Sequence, residues 1–192
     1  MLLMKKKRVF VAVNLPKNIK NKLGEYQDEW TELPVRRTKK ENLHITLIFL
    51  GYLLDEDIPE VNQVAGEAAS KSKTFLINLN KICYGPPKKL PPRLIWAEGE
   101  ESKELDQLKN NLEKLLTTAE KAPPSINRTF LPHITLGRIK AWEWKQIEPE
   151  ERPRIEKEIN LNFEVSSIDI MESRLKREGA EYIILESFKL GE

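Results

Sequence analysis

The tetrapeptide His-Ile-Thr-Leu occurs twice in this chain, as residues 44–47 and as residues 133–136. Three specified residues follow a given position with a probability on the order of one in two thousand, so coincidence is a poor explanation. The two copies begin with the only two histidines of the chain, and nearly half of the 192 residues separates them. This spacing predicts an internal duplication in which two similar halves pack together.

Each copy lies in a predicted β-strand, over residues 42–51 and 130–140. Side chains alternate across a strand, so the His and Thr of each copy share one face while the Ile and Leu share the other. The apolar face can pack against helices, and the polar face then presents an imidazole beside a hydroxyl. If the polar faces of the two halves meet, His44, Thr46, His133 and Thr135 converge in one cleft.

Strands and helices alternate along the rest of the chain. Further strands are predicted at residues 8–15, 75–84, 94–98, 160–171 and 181–190, with a possible edge strand at 35–38. Helices are predicted at 16–30, 55–72 and 102–121, while the proline-rich stretches 85–93 and 121–128 and the turn at 178–179 are predicted as loops. This order favours an α+β protein.

Two histidines in one cleft are suited to displacement at phosphorus. Because imidazole titrates near neutrality, one ring can take a proton from attacking water while the other protonates the leaving oxygen. Threonine hydroxyls can hydrogen-bond the non-bridging oxygens. Arg138 is also a candidate phosphate ligand, although its odd spacing from His133 places it on the opposite strand face unless a bulge or the strand end re-aims it.

Simpler interpretations exist for each of these residues. A single strand histidine is more often structural than catalytic, and threonine is a good β-former; the repeated context is what favours chemistry here. Two histidines and the distant Cys83 lack the close ligand spacing of a metal site, so we expect no metal and no cofactor. The basic residues Arg36, Arg37, Lys39 and Lys40 are interpreted as a solvated loop rather than an RNA-facing patch.

The charge balance limits the class of partner. Lys plus Arg total 32 and Asp plus Glu total 30, whereas proteins that hold long nucleic acids are usually more basic. Recognition of one strand end requires few phosphate contacts, so RNA remains open. We find neither a signal-peptide core nor a run of about 18 apolar residues, and we expect a soluble, cytoplasmic protein.

The chain resembles the bacterial and archaeal RNA 2',3'-cyclic phosphodiesterases, also called 2'-5' RNA ligases, of the two-histidine (2H) phosphoesterase superfamily. Their signature is a pair of H-x-T/S-x motifs, which correspond here to residues 44–47 and 133–136. The resemblance extends over most of the chain, through RVFVAVNLP, ENLHITLIFLG, RLIWAEGE, FLPHITLGRIK and the closing SSIDIMESRLKREGAEYIILESFKL.

The resemblance implies two similar antiparallel-sheet lobes with flanking helices around a central cleft, with residues 1–192 forming a single domain. It implies hydrolysis of 2',3'-cyclic phosphate, on RNA 3' ends or nucleotides, to a 2'-phosphomonoester. In that reaction His44 would be the general acid and His133 the general base, aided by Thr46 and Thr135, and Arg138 would contact the phosphate. The family can also join or split 2'-5' RNA linkages. We expect a monomer that does not bind membranes.

Two other classes of protein stay open at this stage. A non-catalytic module could capture nucleotide or RNA ends on the same fold, although a pure binder need not keep both proton carriers. An interaction protein on a duplicated scaffold would instead present a large exposed apolar patch beside a poorly formed cleft.

Overall fold

A computed structural model describes residues 6–87, 89–121, 130–177 and 179–191. Within them, nine strands form one antiparallel sheet, with four α-helices and three short 3-10 turns. The strands are β1 Lys6–Asn14, β2 Val35–Arg37, β3 His44–Leu54, β4 Phe75–Gly85, β5 Leu94–Gly99, β6 His133–Ile139, β7 Glu156–Val165, β8 Ser167–Lys176 and β9 Gly179–Lys189. The helices are α1 Lys17–Asp28, α2 Ile58–Ser70, α3 Lys103–Thr118 and α4 Ala141–Lys145. The predicted α+β class with antiparallel sheet is confirmed.

The strand order is β7-β4-β5-β6-β3-β1-β8-β9, with β2 also paired to β6. The two motif strands, β6 and β3, are therefore adjacent at the centre of this order. It divides into two groups of four strands, β7-β4-β5-β6 and β3-β1-β8-β9, and β2 is an additional strand beside β6. Among the described residues, β3 and β6 pair only through Ile45 and Ile134. Two groups of four strands thus meet at a single point, and we propose on this basis that residues 1–192 form one domain of two similar lobes.

The core lies on one face of this sheet. Ile45, Leu47, Ile134 and Leu136 are buried there in one continuous cluster that also contains the apolar faces of α2 and α3. Ser102 accepts a hydrogen bond from the backbone N–H of Leu105, which explains why α3 begins where it does. Helices that cover the apolar face leave the polar face of the motif strands for the site.

One predicted strand was wrong. Residues 160–171 were expected to form a single strand, but the chain changes partners at Ser166: β7 pairs with β4 in one half, and β8 pairs with β1 in the other. A crossover of this kind leaves little local signal, because residues on both sides of it keep strand character. The predicted loop at 121–128, apart from Lys121, and residue 178 of the predicted turn lie outside the described residues.

No described helix combines the length and the apolar character that crossing a membrane requires.

Candidate active site

The two His-Ile-Thr-Leu copies begin side by side. Each histidine is the first residue of its strand, and β3 and β6 run in opposite directions from the Ile45–Ile134 pair. Counting outward from this pair sets His44 opposite Thr135 and Thr46 opposite His133. A local two-fold axis through the isoleucine pair thus relates the copies, and all four polar residues line one cleft.

His44 is held with its Nε2 atom available to the cleft. Its Nδ1 lies 2.7 Å from the carbonyl oxygen of Asn42, which can only accept, so Nδ1 carries the proton. Its Nε2 lies 2.9 Å from Oγ1 of Thr46. The ring packs against Phe10 and edge-on against Tyr182, with centroid distances of 5.0 and 5.1 Å.

Burial lowers the pKa of His44 to about 4. The positive charges of Lys20 and of protonated His133 also lower this pKa, and the hydrogen bond to the Asn42 carbonyl opposes them. At pH 7 His44 is therefore neutral, and its protonated form gives up a proton readily.

His133 repeats this arrangement with different neighbours. Its Nδ1 lies 3.0 Å from the carbonyl oxygen of Leu131, so the same tautomer is selected. Its ring stacks on Trp96 with a centroid distance of 3.9 Å and an interplanar angle of 26°. Burial lowers its pKa, while the hydrogen bond to Leu131 and the charge of Glu98 raise it.

A bulge decides the direction of Arg138. On β5, Ile95 pairs with Gly137 and the next residue, Trp96, pairs with Thr135, so Leu136 has no partner on that strand. The extra residue shifts the alternation by one, and Arg138 lines the same cleft as His133. The sequence alone left open which face of the strand carries Arg138, and the bulge places it on the face of His133.

The same bulge occurs in the first copy, where β1 pairs with Ile48 and Thr46 but skips Leu47. The counterpart of Arg138 in this copy is Phe49, since each is the fifth residue after its histidine. Phe49 is 64% exposed and also lines the cleft. The duplication therefore places a cation in one half and an aromatic ring in the other.

The cleft has a volume of about 530 Å³, within the usual range of ligand sites. Six of its lining side chains are cationic, and no Asp or Glu is among the described residues that line it. The cationic residues are Arg8, Arg36, Arg37, Lys39, Arg138 and Lys176. Such a surface attracts anions.

The interpretation of Arg36, Arg37, Lys39 and Lys40 as a solvated loop was wrong for Arg36 and Arg37, which lie in the edge strand predicted at 35–38. Arg36, Arg37 and Lys39 line the cleft, whereas Lys40 does not. Arg36 belongs to β2, pairs directly with Arg138 and lines the cleft. Like charges facing each other across a sheet are unfavourable without an anion between them. Arg37 also lines the cleft, but its guanidinium donates hydrogen bonds to Asp28 and to the carbonyl oxygen of Trp30, so Arg36 is the better candidate for binding an anion.

Gln27 explains how β2 is held in place. Its buried side-chain amide donates to the carbonyl oxygens of Thr38 and Leu136, at 2.8 and 2.7 Å. The second of these carbonyls belongs to the bulged residue of β6. Through Gln27, helix α1 therefore links the end of β2 to the β6 bulge that turns the Arg138 side chain toward the cleft.

Several lining residues were missed in the sequence, notably Arg8, Phe10, Phe49 and Tyr182. They come from β1, β3 and β9, and no motif marks them. Phe49 alone had a signal, because it occupies the position equivalent to Arg138 in the repeat. No group of three His, Cys, Asp or Glu residues suited to a metal ion occurs in the part of the chain that the structure describes.

A duplicated antiparallel sheet with paired histidines in a cationic cleft is the architecture of a phosphoesterase. The family model described as LigT-like phosphoesterase matches residues 13–96 and 98–182. The chain belongs to this family.

Individual relatives agree with the family match. The chain is 28% identical to the RNA 2',3'-cyclic phosphodiesterase of Methanocaldococcus jannaschii over 184 residues, which is 94% of this chain and 99% of the relative. It is 30% identical to the protein of the same name from Thermus thermophilus over 193 residues, covering 95% and 90% of the two chains. The crystal structure of TT0787 from Thermus thermophilus superposes with a TM-score of 0.81 at 28% identity, over 96% of this chain and 99% of that one.

Proposed function

We propose that this protein hydrolyses 2',3'-cyclic phosphates of RNA 3' ends or nucleosides to 2'-phosphomonoesters. The observation that carries the proposal is the symmetric pair of histidines in one cationic cleft, each with its Nδ1–H donating to a backbone carbonyl oxygen, so that Nε2 is the nitrogen that can exchange a proton with the substrate. The relatives named RNA 2',3'-cyclic phosphodiesterase support this substrate class.

In the proposed reaction, Nε2 of His133 takes a proton from water as the water oxygen bonds to phosphorus. The bond from phosphorus to the 3'-oxygen breaks on the opposite side, and that oxygen receives a proton from Nε2 of protonated His44. The products are a 2'-phosphomonoester and a free 3'-hydroxyl. With both proton carriers supplied by side chains, the mechanism requires no metal-bound water.

The charges around the two rings favour this division of roles. Glu98 raises the proton affinity of His133, which makes it the stronger base, while Lys20 lowers that of His44, which makes it the stronger acid. The cost is that few free enzyme molecules carry the required proton on His44 at pH 7. A bound phosphate anion offsets this cost, because negative charge between the rings raises both pKa values.

The remaining polar groups are proposed to hold the phosphate. Thr46, Thr135 and Arg138 surround the cleft and can donate to the two non-bridging oxygens, where charge is concentrated. Arg36, as the direct strand partner of Arg138, adds a second guanidinium. The cations exceed what one phosphate needs, which favours an RNA end with further phosphates over a mononucleotide.

The same groups can open the cyclic phosphate with a different nucleophile. Attack of a 5'-hydroxyl on the cyclic phosphate would form a 2'-5' linkage, with His133 deprotonating the hydroxyl in place of water. Joining of 2'-5' RNA linkages is therefore part of the proposal and requires only that an RNA 5' end displace water. We also propose that the protein acts in the cytoplasm as a monomer.

A turnover assay tests the proposed function. The substrates are 2',3'-cyclic AMP and an RNA oligonucleotide with a cyclic phosphate end, each with and without exhaustive EDTA treatment. We expect 2'-phosphate products in every case, with higher kcat/KM for the oligonucleotide. Tight binding without turnover would instead show a binding module on this fold. Loss of activity in EDTA that one equivalent of a metal ion restores would refute the metal-free mechanism.

A further inference from the structure

Glu98 is a buried carboxylate beside one of the two histidines. The residue is 4% exposed, and its backbone is the direct partner of His133 in the pairing of β5 with β6. Trp96, two residues earlier on the same strand face, stacks on the His133 ring. Strand β5 therefore supplies both an aromatic platform and a negative charge to the same imidazole.

Burying a carboxylate is costly unless it is paired, and this one is paired with Lys81. Oε1 of Glu98 lies 2.6 Å from Nζ of Lys81 on β4, and its hydrogen bond raises the pKa of that lysine. Oε2 lies 3.8 Å from the thiol of Cys83. Neither Glu98 nor Lys81 lines the cleft, so substrate contact does not explain the pair.

The other histidine has a neutral residue in the same place. The residue of β1 that pairs with His44, and so corresponds to Glu98, is Asn14, whose side-chain oxygen accepts from the backbone N–H of Leu15. The duplication makes the motifs alike, yet one histidine faces a neutral amide and the other a carboxylate. This difference breaks the symmetry of the pair.

We propose that Glu98 is a positioning residue, which stabilises the imidazolium formed when His133 accepts a proton and thereby makes His133 the base of the pair. The inference rests on the proposed function for its effect on rate, but its electrostatic part does not. Because Nδ1 of His133 is already bonded to Leu131, Glu98 acts through the low-dielectric interior rather than through a hydrogen bond to the ring.

Other charged and titratable groups also surround His133, and the single variants of Glu98 leave all of them unchanged. Lys81 and Cys83 lie on β4, on the far side of Glu98, and His44 lies on β3. Lys109 on α3 lies over the ring of Phe130, which is in turn close to the His133 ring. The cations that line the cleft are Arg138 on β6, Arg36 and Arg37 on β2, Lys39, Arg8 on β1 and Lys176 on β8. Glu98 is the carboxylate directly beside the ring.

Proton NMR titration separates this role from a merely structural one. The chain has only two histidines, so the imidazole signals of the wild type are assigned from a His44→Gln variant. In Glu98→Gln, which keeps the shape and can still accept from Lys81, we expect the His133 midpoint to move to lower pH and that of His44 to move less. Glu98→Asp, which keeps the charge, should move the His133 midpoint back toward the wild-type value.

The rate should follow the titration. We expect kcat on 2',3'-cyclic AMP to fall about tenfold in Glu98→Gln, a part of the total effect of general base catalysis, and to recover in Glu98→Asp. Glu100→Gln is the matched control, because Glu100 is an exposed carboxylate just beyond the end of the same strand. In this variant we expect the titration midpoints of both histidines and the value of kcat to equal those of the wild type.

If Glu98→Gln does not fold, the double variant Lys81→Met, Glu98→Met replaces the ion pair by apolar side chains of similar volume. This variant removes one negative and one positive charge. The His133 midpoint should still fall, because the lost carboxylate was on the strand adjacent to His133 and the lost ammonium was one strand further away. An unchanged His133 midpoint in the folded variant overturns the inference. A wild-type protein without turnover refutes the proposed function alone, because the titration still decides the role of Glu98.

Discussion

Ile45 and Ile134 are direct backbone partners across the centre of the sheet, and both side chains are fully buried. They are the middle residues of the two His-Ile-Thr triplets, so the point where the halves join is also the point around which the polar residues are arranged. In each His-Ile-Thr triplet the isoleucine is thus buried on one face of the sheet, while the histidine and threonine line the cleft on the other.

The two histidines should be equally necessary. We expect His44→Ala and His133→Ala each to lower kcat on 2',3'-cyclic AMP by about 10²–10⁴-fold, because each removes one proton transfer. Since both transfers belong to one displacement, the double variant should be little worse than either single one. Thr46→Ala and Thr135→Ala should do less harm. Full activity in either histidine variant, with the fold intact, would remove the basis of the proposed mechanism.

A better leaving group should separate the acid from the base. A nitrophenyl phosphodiester needs no proton on its leaving oxygen, so the variant that lacks the acid should recover much of its rate on it. We expect recovery in His44→Ala and none in His133→Ala. Recovery in His133→Ala alone would reverse the two roles, and recovery in neither would leave the two histidines without separate roles.

Binding of a phosphate should raise the pKa values of both histidines. In the free protein we expect His44 to titrate near pH 4 and His133 below its ordinary range, because burial disfavours both cations. Saturation with 2'-AMP should raise both midpoints by placing negative charge between the rings. NMR titration with and without 2'-AMP checks this, and unchanged midpoints at saturation would show that the phosphate binds elsewhere.

The lowered pKa of His44 also predicts how the free energy of unfolding depends on pH. Between pH 6.5 and about 4 the unfolded chain binds a proton at His44 that the folded chain does not. The free energy of unfolding should therefore be fully retained above pH 6.5 and fall as the pH drops through this window. Denaturation at several pH values should show a shallower fall in His44→Gln than in the wild type, and identical slopes would contradict the burial effect.

Arg138 should act mainly on binding. Removing its guanidinium deletes a charge-assisted hydrogen bond to phosphate, and we expect KM to rise about 10- to 100-fold in Arg138→Ala. The matched control is Arg93→Ala, because Arg93 is an exposed arginine that precedes β5 and does not line the cleft. A larger effect at Arg93 than at Arg138 would show that the bulge does not aim Arg138 as described.

The sequence by itself determined the elements that depend on neighbouring residues. Alternation along a strand puts His44 with Thr46 and Ile45 on the other side, whatever the rest of the chain does. The repeat of this pattern at residue 133 was enough to predict two halves that share a cleft. The start of α3 has the same local origin, because residue 102 is a serine, a favoured N-cap, and its side chain accepts from the backbone N–H of Leu105.

Only the tertiary structure decided features that depend on which strands are paired. Whether Arg138 faces the cleft depends on Leu136, which has no partner on β5, and a bulge is a property of two strands in register rather than of one. The split of residues 160–171 between β7 and β8 has the same origin.

The electrostatic difference between the two histidines was also invisible in the repeat. Their motifs are identical, but Lys20 and Glu98 come from distant segments that packing brings beside one ring each. Charge interactions depend on distance through a buried medium and not on separation along the chain. The sequence therefore determined which residues could do the chemistry, and the fold decided how their proton affinities differ.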